Sequence, residues 1–332
     1  QTERPAIRQD TLTPPLEEEA INLPDLVRLV DLVRHPTLEA LALGVGVDGL
    51  ITASLHDLMH VLAVGASGFG KSAFLRALMW QLAQAREPVA VVGIDCFGSE
   101  LNAVTDWDKL LYPVARDLST AAATLQAVTT EIARRKALYA DAPQAYDLPS
   151  YNRLADEPLA PIVVLVDEGT AMLNEAGIAD PLRQVVQTAR QFGVYALLAG
   201  QNVNHRVMPT QTRDNFSTRL CFHTSAASRH VVLGETPDDV TVKGRAWVVR
   251  PGEALQQVQC PFVTREEVAR VITKGKPARV LDVEAVPPIE NDKDAEHIRD
   301  LRAQGMSLNR IQLEVFGYTG GKAYNAVRTA LG

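Results

Sequence analysis

The 332-residue chain is 46% hydrophobic and 22% charged, with 40 acidic against 33 basic residues and a formal charge of −7. Such a chain can bury one large α/β domain plus something smaller, and its acidic balance excludes a surface that grips nucleic acid all over, leaving room for a local basic loop or channel. Cys96, Cys221 and Cys260 stand far apart with no metal-pair spacing, as in a reducing compartment such as the cytoplasm.

Residues 1–41 read as a polar leader carrying Pro14, Pro15 and Glu17–Glu19, followed by a weakly helical stretch over 24–35. Ala42–Val47 and Leu50–Ala53 flank Asp48-Gly49, a tight-turn signal, so a small hairpin is expected ahead of the core, over a nucleotide edge. From residue 60 the pattern alternates. Strands are expected at 60–65, 89–95, 162–166 and 194–199, with further candidates at 220–224 and 246–249. Helices are expected over 71–84, from a Ser119 cap to Tyr139, and over 180–191. Apolar strands alternating with helices predict a mostly parallel sheet covered on both faces. The motor-sized unit runs from 42 to 272. A Pro- and charge-rich linker follows over 273–293, then a small all-helical unit over 294–332.

The sharpest motif is Gly65-Ala66-Ser67-Gly68-Phe69-Gly70-Lys71-Ser72, a complete Gly-x-x-x-x-Gly-Lys-Ser loop between an apolar strand and a helix. Its glycines let backbone N–H groups turn toward phosphate oxygens, and the helix start adds free donors and a favourable dipole. Lys71 is expected to reach the β and γ phosphates of ATP, and Ser72 to bind Mg2+. Ile162–Val166 ends in Asp167-Glu168, delivering two carboxylates to the sheet edge where ligands bind. Asp167 suits the metal and Glu168 the attacking water. These motifs predict a RecA-like P-loop NTPase. Asp95, also at a strand end, either joins the metal's water shell or caps the next loop. Gln201 either senses the γ phosphate or makes a structural hydrogen bond. No apolar run approaches the ~20 residues of a spanning helix. The sequence opens on Gln1, so a tether to the inner face of the membrane would lie outside it.

Residues 42–270 resemble the motor domain of the FtsK/HerA family of DNA translocases, especially its FtsK branch. The resemblance rests on His56–Gly65, Val92–Asp95, the helix ending Glu131–Tyr139, Asp167-Glu168 and Thr188–Gln201. It implies a hexameric ring with ATP sites between subunits, double-stranded DNA in the channel, and a membrane anchor or partner protein outside this chain. It also implies an arginine acting across the subunit boundary. Arg219 and Arg229 are the candidates, with another arginine as the third option. Where the branch has arginine after the glutamine, this chain has Asn202. The following loop offers His205 and Arg206 to DNA.

The tail resembles the helix-turn-helix units of resolvases and of some FtsK relatives. Arg310 precedes a third segment in which Lys322, Tyr324, Asn325 and Arg328 would meet phosphates or base edges; a regulatory docking module explains the same residues. The expected function is an ATP-driven translocase of double-stranded DNA. The alternatives are a coupling or secretion ATPase moving protein or DNA–protein substrate, and a nucleotide-dependent scaffold.

Overall fold

The computed structural model describes residues 23–279 except 99 and 176, together with 292–316 and positions 327, 330 and 331. The first helix is short, α1 (Leu29–Leu32). The weakly helical pattern over 24–35 yields because Arg28 forms a β-bridge with Phe262 and Leu29 N–H donates to its carbonyl. A hairpin of β1 (Leu41–Gly46) and β2 (Gly49–Ala53) leads through α2 (Leu55–Leu58) into β3 (Val61–Val64) and α3 (Lys71–Gln84). Next come β4 (Ala90–Ile94), a 3-10 turn over Glu100–Val104, and α4 (Leu118–Ala140). Its cap is Asp117 and not Ser119, because Asp117 and Thr120 form a reciprocal capping box. The expected irregular connection contains α5 (Leu148–Leu154), started by a second box between Asp147 and Ser150.

After β5 (Ile162–Val166) come α6 (Gly169–Met172), α7 (Ala179–Thr188), a 3-10 turn over Arg190–Phe192, and β6 (Val194–Gly200). The chain continues through α8 (Thr210–Arg213), β7 (Thr218–Cys221), α9 (Ala226–Leu233), β8 (Arg245–Val249), β9 (Gln256–Gln259) and α10 (Arg265–Val271). Among the described residues nine strands form one sheet in the order β2-β1-β9-β8-β7-β3-β6-β5-β4. The five from β7 to β4 are parallel, and the rest pair antiparallel. The hairpin therefore extends the far edge of the sheet. Three strands separate it from β3, so it does not lie over the end of β3.

Alternation along each parallel strand divides the core in two. Val163 and Leu165 of β5 face a cluster with α3, whereas Ile162, Val164 and Val166 face one with α4 and α7. Beyond α10, Gly275 N–H donates to Asp106, Ala278 to Leu110 and Arg279 to Leu111. A separate apolar cluster joins α11 (Asp292–Ala303) and α12 (Leu308–Phe316) through Ile298, Leu301 and Ile311 to Val327 and Ala330. No helix among the described residues is long and apolar enough to cross a membrane. Cys96, Cys221 and Cys260 are free thiols.

Candidate nucleotide site

β3, β6 and β5 are adjacent and parallel, so their carboxyl ends bring three loops to one edge. The first is the phosphate loop. Gly68 and Gly70 take φ of 83° and 124°, in the region open to glycine. At Gly65 an added Cβ would stand 2.6 Å from that of Phe222, so only hydrogen fits. Lys71 is 5% exposed and its Nζ donates to the Ala66 carbonyl at 3.4 Å. Burial pulls its pKa down, against the opposing pull of Glu168 and Asp167. Both acids therefore lie within electrostatic reach of the lysine. Ser72 follows in the first turn of α3, half-buried.

The second loop leaves β5. Asp167 is buried, and its pKa is pushed up to about 6 by that burial, then by the negative charges of Asp95 and Glu168. Its Oδ1 accepts from Glu168 N–H at 3.1 Å. Glu168 sits in the left-handed region at φ 51°, ψ 30°, a conformation that costs a non-glycine residue about 1 kcal/mol or more and clusters at functional sites. The third loop leaves β6, and Gln201 Nε2 donates to Glu168 Oε1 at 2.8 Å. Of the two roles considered for Gln201, the structure presents a side-chain contact with the candidate acid itself.

Asp95 is fully engaged as a cap. Its oxygens accept from Gly98 N–H at 2.8 Å and Leu101 N–H at 3.0 Å, and Arg116 Nη1 lies at 3.2 Å. Gly98 is pressed between acids, since a Cβ there would meet Asp167 at 2.7 Å and Asp95 at 2.8 Å. The two arginine candidates differ. Arg229 is buried and paired in its own chain with Asp239 at 2.8 Å and with the Thr224 carbonyl at 2.5 Å. Arg219, half-buried on β7, donates through Nη1 to the Phe216 carbonyl at 3.1 Å, while its Nε has no hydrogen-bond partner among the described residues. Burial and then the nearby Arg213 lower its pKa.

His205 and Arg206 are exposed on the loop after Gln201, where Asn204 accepts from Arg206 N–H in a tight turn. Arg310 is exposed on α12. Lys322, Tyr324, Asn325 and Arg328 lie outside the described residues. Sequence reading missed His223, whose ring lies against Phe69 of the phosphate loop, and Asp239, which contacts His223; no periodicity or motif marks either.

The FtsK/SpoIIIE family model matches residues 33–157. The chain is 30% identical over 243 residues to the DNA translocase FtsK of Caldanaerobacter subterraneus subsp. tengcongensis, covering 70% of this chain and 34% of that protein. It thus spans about a third of the length of the curated relatives it matches. Among solved structures it is similar to the pCW3 conjugation coupling protein TcpA in its monomer form with ATPγS, at a TM-score of 0.65 and 20% identity over 76% of this chain and 74% of that one. It is also similar to EssC (ATPases 2 and 3) from Geobacillus thermodenitrificans, at 0.64 and 19% over 78% and 54%. At these identities the structures establish the fold alone, a RecA-like α/β fold with a mostly parallel sheet.

Proposed function

Since this chain carries an FtsK/SpoIIIE family domain over residues 33–157, we propose that it is an ATP-driven motor that translocates double-stranded DNA as a ring, with ATP bound between subunits. The observation that supports this most directly is the contact of Gln201 with Glu168 across the ends of two strands, beside a buried lysine held near both acids. In this reading Lys71 and the N–H groups of residues 65–72 hold the phosphates, and Lys71 offsets charge developing on the transferred group. Glu168 takes up the proton of the attacking water. Gln201 holds that carboxylate aside until a γ phosphate competes for its amide.

A magnesium ion fits the residues present. Ser72 and Asp167 supply hard oxygen donors, and Asp167 is a buried carboxylate crowded by Asp95 and Glu168. Bound there with nucleotide, it would supply charge neutralisation. For the arginine acting across the boundary Arg219 is preferred, because Arg229 is already paired within the chain.

The similar TcpA is a conjugation coupling protein, which keeps a second reading open, a motor for protein or DNA–protein substrate. One experiment separates the cases: ATP hydrolysis by the purified chain with long linear duplex, with unfolded polypeptide, and with neither. Duplex is expected to raise the rate severalfold, and Glu168→Gln to bind ATP yet turn over at least about 100-fold more slowly. Equal rates with and without duplex would sink the DNA motor, and stimulation by polypeptide alone would transfer the reading to the coupling ATPase.

A further inference from the structure

Residues 222–244 clasp the phosphate loop from one side. Ala66 N–H donates to the His223 carbonyl at 2.7 Å, and the Phe69 carbonyl accepts from Gly244 N–H at 2.9 Å. The rings of Phe69 and His223 lie 4.2 Å apart, tilted by 37°. Gly70 and Gly244 approach so closely that a methyl on Gly70 would stand 2.9 Å from Gly244 Cα.

Asp239 ties this clasp together. One carboxylate oxygen lies 2.6 Å from His223 Nδ1 and the other 2.8 Å from Arg229 Nη1. Neither contact is aligned as a hydrogen bond; the Arg229 pair is a charge–charge attraction that the half-buried setting strengthens, and it sets the Asp239 carboxylate against the His223 ring. The indole of Trp247 donates to the Asp238 carbonyl at 2.7 Å, and Val240 is buried, which fixes the rest of the loop. Ser228, the neighbour of Arg229 in α9, donates to the Val203 carbonyl at 3.1 Å, two residues past Gln201. One turn of α9 therefore braces both halves of the nucleotide site.

The geometry points to Asp239 as a positioning residue for nucleotide, which holds His223 against Phe69 and so sets the phosphate loop in its receiving shape. This rests on the nucleotide-site reading above, and it assigns Arg229 a role within its own subunit. A loop with glycines at 65, 68 and 70 is intrinsically free, and the cost of ordering it is subtracted from binding. Removing the clasp should therefore weaken affinity more than it slows chemistry.

The test compares the full chain with Asp239→Asn, His223→Ala and the double variant. Binding of a non-hydrolysable ATP analogue with magnesium is measured by calorimetry, beside KM, kcat and the melting temperature. Each single change is expected to weaken the analogue and raise KM about tenfold with a much smaller fall in kcat, and the double variant to lose no more than the worse single. Asp239→Glu, which keeps the charge, should recover part of the loss. Unchanged affinity, or fully additive losses, would overturn the proposal. If Asp239→Asn does not fold, His223→Asn, which leaves Asp239 with Arg229, is judged by the same affinity criterion. Failure of the unaltered chain to bind the analogue would instead sink the nucleotide site itself.

Discussion

Asp167 carries a consequence for pH. Its carboxyl is raised from 3.8 to about 6, by burial first and then by Asp95 and Glu168. A raised carboxylate favours the folded state most fully below its unfolded value, so this contribution fades as pH rises from about 4 through about 6 in the nucleotide-free protein. Magnesium and nucleotide need the ionised form. Their affinity should therefore rise with pH up to about 6 and level off above it, losing about tenfold per unit below. Calorimetric titration across that range checks it. A slope that survives in Asp167→Asn would assign the proton to another group. At this scale the placement of residues 65–72 after β3 and of Asp167 and Glu168 after β5 was legible in the sequence, because strand and loop are contiguous there. The partner of Gln201 was not, since Glu168 lies on another strand and only the sheet brings them together.

α4 shows how an element is fastened. Glu131 is buried and receives Arg134 at 2.8 Å, Arg135 at 3.0 Å and Arg279 at 3.0 Å. Burial works to raise its pKa, but these arginines outweigh it and hold the carboxyl at about 2. Arg135, itself buried, also donates to the carbonyls of Phe192 and Ala160 at 2.8 Å. Glu131→Gln would leave a buried guanidinium without its counter-charge, at a cost of about 3 kcal/mol and roughly 6–12 °C in melting temperature near neutral pH. A depressed carboxylate stabilises above its unfolded value of 4.5 and stops doing so as pH falls through about 2. The gap between the two proteins should therefore close over that interval. Melting curves at neutral and acid pH measure it, and a gap that does not narrow would show that packing, not charge, is responsible. The helix was legible from its apolar spacing. Its role as an anchor for Arg279, 148 residues later, was not.

For the whole molecule, the proposed ring makes the active unit larger than one chain. With a non-hydrolysable ATP analogue and duplex, light scattering should give six times the mass of a single chain, consistent with closed cyclic symmetry. A particle that stays at one chain's mass under those conditions would remove the intersubunit site, and with it the role proposed for Arg219. Four strands of the parallel half, β3 to β6, were legible as continuous apolar runs, whereas β7, Thr-Arg-Leu-Cys over 218–221, lies two residues ahead of the strand expected at 220–224. The antiparallel half was only partly so: β9 reads Gln-Gln-Val-Gln, too polar to signal a strand, and forms because β8 and β1 pair with it.

What the chain of residues settled unaided is the local structure that neighbours in sequence can build: a glycine loop at a helix start and a strand delivering two acids. The folded sheet decided which distant groups meet. It set Gln201 on Glu168, pushed the hairpin to the far edge, and occupied Arg229 with Asp239. The reason is that hydrophobic alternation specifies which face of a strand is buried but not which strand lies beside it. That choice belongs to packing and backbone pairing across the whole core.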